Sequence, residues 1–420
     1  MKRLMHILVK ELQFFLLLVL LFGFAMFQGG FVSWFLFYSM LPILLYLMMI
    51  PFYPIKNWKV TRNLSDRYLA TGSEVEVTVT IERKFPFPIF FLLMEEIYPE
   101  SLHYKHIGEK QYQYLSNDQP LQRRKRIKKV IHLCFRRTVQ VHYILDHLPR
   151  GKHQLAGTRI TIGDAFGFID LSSNFQDPQE FYVYPAVHPM KWSIRSHSME
   201  EGNTSVQVTN DKLSNIVSGV REYVPGDRVS WIDWKTSAKK NTMITKEFEQ
   251  EKDANITVLL DVSSTAPNQL VFDASIQWTI SVLYLLRKNG QQVSFLTLGE
   301  KSRLFTNHHI YAQFAGVQNY LATVTPEETA WIDGLQKAPH TFVKGSVYLF
   351  VVHHLDEAIV QRLLRWRTQE LVLICYIAPS ELLDPATMNV IRALRKQQVS
   401  VQTITEEQLV QTDWEVTPTR

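Results

Sequence analysis

Apolar and polar positions divide this 420-residue chain into three stretches with different periods. Leu12 to Gln28 and Phe31 to Tyr53 are uncharged and almost wholly apolar, with only Gly29-Gly30 between them. At 1.5 Å per residue the runs give roughly 25 and 35 Å, bracketing the roughly 30 Å hydrocarbon core of a bilayer, so they predict two transmembrane helices joined as a hairpin. A second apolar run follows the first at once and no small-x-small cleavage site separates them, which argues against a cleaved signal peptide. Lys2, Arg3 and Lys10 precede the pair, Lys56, Lys59, Arg62 and Arg67 follow it, and the turn is uncharged. The positive-inside bias then predicts a multi-pass protein of the cell membrane with both termini cytoplasmic.

Residues 57–200 carry a period of two. In "EVEVTVTIE", Val75, Val77, Val79 and Ile81 alternate with polar residues, as a half-buried strand requires. "TVQVHYILDHL", "HQLAGTRITIG" and "EFYVYPAV" are further short strands bounded by turn residues, including Arg150-Gly151 and "GDAFGF" from Gly163. Together they predict an all-β domain, a small antiparallel sandwich of the immunoglobulin-like kind. Residues 201–253 read as a linker and a distinctive segment, the polar stretch Asn203 to Lys212 being the linker proper. From residue 254 to 408, near-continuous apolar strands such as "NITVLLDV", "SVYLFVVHHL" and "ELVLICYIA" alternate with helical stretches such as "FDASIQWTISVLYLLRKNG". That alternation predicts a doubly wound, mostly parallel α/β sheet. Residues 409–420 read as a loosely ordered tail.

A net charge of +5 is small for this length and speaks against a protein devoted to nucleic acid. The two cysteines, Cys134 and Cys375, form neither a disulfide framework nor a zinc pattern. "RRKRIKK" places Arg123, Arg124, Lys125, Arg126, Lys128 and Lys129 in one run. Without interleaved aromatics, it suits anionic lipid headgroups or a solvated loop better than nucleic acid.

In an open parallel sheet, ligands gather at the carboxyl ends of the strands. The first strand of the α/β part ends in "DVSST", where Asp261, Ser263 and Thr265 would turn a carboxylate and two hydroxyls toward one point, a donor set for a hard divalent cation such as Mg²⁺. Asp356, after a later strand, is a further ligand candidate. The competing reading is that these groups cap loops and helices. His353-His354 has no third partner at ligand spacing and is set aside. No G-x-S-x-G elbow, phosphate-binding loop, H-E-x-x-H helix or paired catalytic cysteine occurs, so no enzyme class is indicated.

Between Gly219 and Lys240 charges and aromatics interleave: "GVREYVPGDRVSWIDWKTSAKK". Pro225-Gly226-Asp227 forms a turn signature, a short helix carries Val229, Ile232 and Ser237 on one side, and "MITKEFEQE" follows as a strand. Ion pairs between Asp233 and Lys235, or Arg221 and Glu222, would brace this segment while Tyr223 and Trp234 pack. The whole run to "NITVLLDVSS" closely resembles the signature of the bacterial domain of unknown function family 58. The matching residues are Arg221, Glu222 and Tyr223, Pro225 to Asp227, Ile232 to Lys235, Lys246 to Glu249 including Glu247, and Asp261 with Ser263, while Lys239 stands where the family's pattern often has arginine. Upstream, two apolar runs, a β-rich part, "GDAFGF" and "YVYP" resemble the layout of these proteins.

The resemblance implies a von Willebrand factor A-like domain after the signature, with a metal-ion-dependent adhesion site of which Asp261, Ser263 and Thr265 would be part. It also implies a MoxR-type AAA+ ATPase as partner, and a transglutaminase-like membrane protein as a second neighbour. The expectation is a non-enzymatic, cytosol-facing adaptor anchored in the lipid bilayer, binding protein rather than nucleic acid. The alternative is a divalent-metal enzyme at the membrane surface using Asp227, Asp233 and Asp261.

Overall fold

The computed structural model describes residues 2–122, 127–164, 166–192, 217–224, 232–240, 242–248, 255–337, 346–366 and 371–417. It divides into two compact units, residues 1–108 with 119–185 and residues 109–118 with 186–420.

The first unit opens with α1 (Lys2–Gln28) and α2 (Phe31–Met49), antiparallel about Gly29, whose φ of +61° is one that glycine adopts freely. Phe22 of α1 meets Trp34 and Phe37 of α2 edge-on at 6.4 and 5.7 Å. Val9–Gln28 and Phe31–Phe52 are each long and apolar enough to cross a bilayer.

Eight strands follow: β1 (Lys59–Leu64), β2 (Tyr68–Ala70), β3 (Val75–Glu82), β4 (Phe91–Ile97), β5 (Lys128–Ile131), β6 (Thr138–Leu145), β7 (Gly151–Gly163) and β8 (Asp170–Tyr184). They form two sheets, β1-β3-β6 and β2-β8-β7-β4-β5. Val75, Val77, Val79 and Ile81 of β3 face one core with Leu92, Met94, Leu155, Ile160, Phe181 and Val183 of the other sheet, so the alternation read from sequence is the core-facing period.

Four details depart from expectation. Pairing is antiparallel except for β2 against β8. β7 and β8 form one long hairpin running from the Gly151↔Val183 pair to Gly163↔Asp170. The polar half of β8, "DLSSNFQDPQE", carries no apolar alternation because its hairpin face is largely exposed. And Arg62, counted among the charges flanking the membrane helices, is buried: its Nη2 lies 2.6 Å from Glu96 Oε1, while Lys56, Lys59 and Arg67 stay exposed.

The second unit contains β9 (Met190–Trp192), β10 (Val217–Glu222), α3 (Trp234–Lys240), β11 (Ile244–Phe248), β12 (Ile256–Asp261), α4 (Gln269–Lys288), β13 (Val293–Leu298) and β14 (Leu304–Phe305). After these come α5 (Asn307–Ala312), α6 (Phe314–Thr323), α7 (Trp331–Lys337), β15 (Val347–Val352), α8 (Glu357–Trp366), β16 (Leu371–Ile377), α9 (Pro385–Lys396), β17 (Ser400–Ile404), α10 (Glu406–Leu409) and β18 (Trp414–Val416). The main sheet has the order β14-β13-β12-β15-β16-β17, parallel except for β14. Leu259, Tyr348, Phe350 and Ile374 pack on one face against Trp331, Leu363 and Ile391 of α7, α8 and α9.

α4 is also long and apolar enough to span a membrane, but most of it is buried within this unit, as a core helix is. Its Trp278 stacks on Trp414 at 5.1 Å. Trp414 is 1% exposed, and β18 pairs with β9, so the end of the chain up to Thr417 is built into the fold rather than loose. One buried indole supplies the anchoring that a polar tail sequence conceals. The excursion Glu109–Asp118 also belongs here: Tyr112 is fully buried beside Trp414, and its hydroxyl donates to Gln277 Oε1. That places ten residues of the expected β-domain stretch with the second unit.

Candidate functional site at the ends of the central strands

The strand order explains where a site can form. From β12 the chain steps to β13 on one side, then returns to β15 on the other and continues outward through β16 and β17. The carboxyl ends of β12 and β15 therefore flank the point at which winding reverses, the usual place for a ligand in an open parallel sheet.

Asp261 ends β12, and its side chain is fully buried. Its Oδ1 accepts from the Ser263 amide at 2.8 Å and from the Ser263 hydroxyl at 2.6 Å. Ser263 Oγ lies in turn 2.7 Å from Thr265 Oγ1. Ser263 is buried and Thr265 exposed, so a continuous polar line runs from the sheet's interior to its surface. Asp261 Oδ2 is buried and has no hydrogen-bond partner.

His353, just beyond β15, faces that oxygen. Its Nε2 lies 3.3 Å from Asp261 Oδ2, a close contact without hydrogen-bond alignment, and 3.1 Å from the Ser263 carbonyl oxygen. A carbonyl oxygen only accepts, so Nε2 carries the proton in this pairing. Nδ1 is buried without a partner. A Ser-His-Asp relay needs the two ring nitrogens on different partners. Here one nitrogen meets both Asp261 and Ser263, so the arrangement is not that of a nucleophile and its base.

Glu327 fastens the loop from behind. Its carbonyl accepts from Ser264 N at 2.6 Å, its amide donates to Val262 O at 2.7 Å, and its Oε2 accepts from Glu300 N at 2.6 Å. A Cβ on Gly299 would lie 2.6 Å from Val262 Cγ2 and overlap the Glu327 carboxylate. Only glycine lets the β13 turn close this tightly. Sequence reasoning set His353 aside and passed over Glu327; neither lies at motif spacing from Asp261, and strand order alone brings them together.

Asp356 has a different task. Its Oδ1 accepts from Ile359 N at 2.6 Å, capping the start of α8, and its Oδ2 lies 3.6 Å from His354 Nε2 on the exposed surface. The oxygen set of Asp261, Ser263 and Thr265, with one unpartnered carboxylate oxygen, suits a hard cation. It provides three of the six or more ligands such an ion takes, leaving the remainder to water or an incoming group. Among the described residues no group of three or more His, Cys, Asp or Glu side chains is placed to hold a metal.

In the signature segment β10 and β11 pair antiparallel, Glu222 opposite Ile244. Asp233 caps α3 by accepting from Thr236 N at 3.1 Å, and this donation holds its carboxyl below the usual range. Ile232 bridges Thr245 rather than joining the helix. Arg221 Nη1 donates to the Glu222 carbonyl at 3.1 Å. The expected Asp233–Lys235 pairing is thus replaced by a helix cap, and Trp234, expected to pack, is 62% exposed because α3 has no buried residue. Lys235 and Lys239 are exposed as well. Pro225, Gly226, Asp227 and Val229 lie outside the described residues, as do the side chain of Glu247, Arg123 to Arg126 and the linker 203–212.

The pattern of the family described as "Protein of unknown function DUF58" matches residues 219–414. YeaD of Bacillus subtilis (strain 168) is 32% identical over 290 residues, covering 69% of this chain and 68% of YeaD. The chain belongs to the DUF58 family. Its signature runs from the β10–β11 ribbon through the Asp261 loop to β18, so the family pattern encloses the whole site. Among solved structures, a CARDB domain from Pyrococcus furiosus is 8% identical, with 30% of this chain and 87% of that one covered, at a TM-score of 0.17. Cwp6 from Clostridium difficile is likewise 8% identical, covering 85% of this chain and 53% of that one, at a TM-score of 0.18. Likenesses at that level carry no argument for either unit.

Proposed function

We propose that this DUF58 protein is a membrane-anchored adaptor without catalytic chemistry, whose second unit is a von Willebrand factor A-like domain that recognises a protein partner at the carboxyl edge of its sheet. The observation that carries the reading is the Asp261 carboxylate: fully buried at the winding reversal, with Oδ2 unpartnered and Ser263 and Thr265 leading outward. A buried polar oxygen left without a hydrogen-bond partner is costly, and its place beside the Ser263 and Thr265 hydroxyls supports a role in holding a cation. When Mg²⁺ or a similar ion is bound, Asp261, Ser263 and Thr265 would hold it. The ion would supply positive charge for a carboxylate of the partner.

The arrangement of His353 supports binding rather than turnover, since its Nε2 lies nearer the Ser263 carbonyl oxygen, at 3.1 Å, than the Ser263 hydroxyl, at 3.5 Å. The exposed Trp234, Lys235 and Lys239 of α3 supply a second recognition surface in the same unit. α1 and α2 would anchor the chain with both termini in the cytoplasm, where the family resemblance points to a MoxR-type AAA+ ATPase as partner. The test is affinity capture of the detergent-solubilised full chain, wild type against Asp261→Asn, in Mg²⁺ and in chelator. An ATPase recovered by the wild type in Mg²⁺ and lost with Asp261→Asn is expected. Identical recovery in all four conditions would sink a cation-dependent surface.

A further inference from the structure

Two loop tips of the first unit present phenylalanines outward, and each tip is held from behind by a buried charged side chain. At the first, the Arg83 guanidinium is 4% exposed and donates to the carbonyls of Arg136, Phe87 and Cys134, each at 2.6 Å. Ile89 and Cys134 exchange backbone hydrogen bonds at 2.9 and 3.3 Å. This ties the loop 83–90 to the loop 132–137 and leaves Phe85, Phe90 and Phe135 exposed, Phe135 by 65%. At the second tip, buried Asp164 accepts from the amides of Phe166 and Ile169 at 2.6 and 2.5 Å, presenting Phe166 and Phe168 with ring centroids 5.9 Å apart. Exposed rings on rigid loops are costly in water and mark a surface that something apolar covers.

Their position identifies the cover. The first tip is joined to α2 and to the turn that follows it: Tyr46 of α2 stacks on Phe87 at 5.6 Å and donates to Pro88 O at 2.9 Å, and Tyr53, just beyond the helix, donates to Phe85 O at 2.7 Å. The second is joined to α1: Lys10 donates to the Phe168 carbonyl, and Phe14 meets the Phe168 ring at 5.8 Å. Phe14 lies about one turn, roughly 6 Å, deeper along α1 than Lys10, and Tyr46 lies roughly 9 Å from the end of the apolar window at Phe52. Both tips therefore touch the helices inside their apolar windows, at the open end of the hairpin. Neither 83–90 ("RKFPFPIF") nor 130–137 ("VIHLCFRR") contains an acidic residue, and Lys84, Arg136 and Arg137 are exposed there. Aromatic rings flanked by cations match a leaflet of anionic lipid. Between Met49, Phe52 and Tyr53 on one side and Phe85 to Phe87 on the other lies an apolar groove of about 480 Å³, open to the same surface.

We propose that these two tips insert into the lipid leaflet beside α1 and α2, so that the β-rich unit sits in the membrane surface, with the groove at Met49 and Phe85 taking a lipid acyl chain. The proposal rests on reading α1 and α2 as membrane spans. Its test uses the full chain in vesicles of phosphatidylcholine and phosphatidylglycerol, with Cys134→Ser and single nitroxide labels at Phe85→Cys, Phe135→Cys or Phe166→Cys. Leu20→Cys in α1 and Ile144→Cys on the exposed side of β6 are the references. Relaxation by oxygen reports lipid and relaxation by a water-soluble nickel chelate reports solvent. Labels at 85, 135 and 166 are expected to follow Leu20→Cys, several-fold more accessible to oxygen than to chelate, while Ile144→Cys does the reverse. Chelate access at the three tips with Leu20→Cys still in lipid overturns the insertion and leaves the anchor standing; chelate access at Leu20→Cys removes the anchor itself. Protection of the tips from both reagents also overturns the proposal, since protein would then cover them. Buried Cys375, unlabelled throughout, reports that each variant is folded.

Discussion

The Asp261 carboxylate and the His353 imidazole, delivered by adjacent parallel strands, lie 3.3 Å apart with both side chains fully out of water. Asp261→Asn keeps the shape and the acceptor for Ser263 while deleting the charge. It is expected to fold but to lose its response to Mg²⁺. In the wild type, the ion at about 100 times its dissociation constant should add roughly 2.7 kcal/mol to stability, read as a rise in the unfolding midpoint. Equal midpoint shifts in the two proteins would contradict the cation reading.

The ion pair of Arg62 and Glu96 is buried at both ends and shares its hydrogen bonds with Tyr143 and Thr158. Burial raises the Glu96 carboxyl above its usual range despite the neighbouring guanidinium. Arg62→Met strands a buried acid and is expected to cost about 3–5 kcal/mol in denaturant unfolding. Adding Glu96→Leu should recover most of that loss. A double variant as unstable as the single one would show that the pair is needed for more than charge balance.

His153 is buried, with one nitrogen 2.8 Å from Pro149 O and the other 2.9 Å from Ser101 Oγ. Burial pushes its pKa down to about 4. The unfolded chain takes up this proton first, near 6.5. Its stabilising contribution is therefore complete above pH 6.5 and lost progressively as pH falls to 4, by roughly 3 kcal/mol. Unfolding curves across this window should steepen in acid for the wild type and flatten for His153→Gln. An unchanged slope in the variant would assign the acid sensitivity elsewhere.

The two thiols differ in reach. Cys134 is exposed, whereas burial pushes the Cys375 thiol up to about 12. A maleimide at neutral pH is expected to modify Cys134 alone in the folded protein and both thiols in denaturant, as intact mass would record. Modification of Cys375 without denaturant would mean that the sheet around β16 opens.

The apolar runs, the period of two in β3 and the strand-helix alternation after residue 254 are legible in the sequence because each is a local consequence of which side of an element meets water. So is the family, because its signature is contiguous. The polar half of β8, the buried ion pair of Arg62 and the anchoring of Trp414 are not, since each depends on a partner far along the chain. The same limit governs the site. The sequence by itself determined that Asp261, Ser263 and Thr265 turn off the end of a buried strand, because a two-residue spacing on an extended chain is geometry the chain carries within itself. Only the tertiary structure decided that His353 rather than Asp356 stands against Asp261, that Glu327 clamps the loop, and that Trp234 faces outward. Strand order and helix docking set those neighbours, and no periodicity encodes which loops a fold brings together.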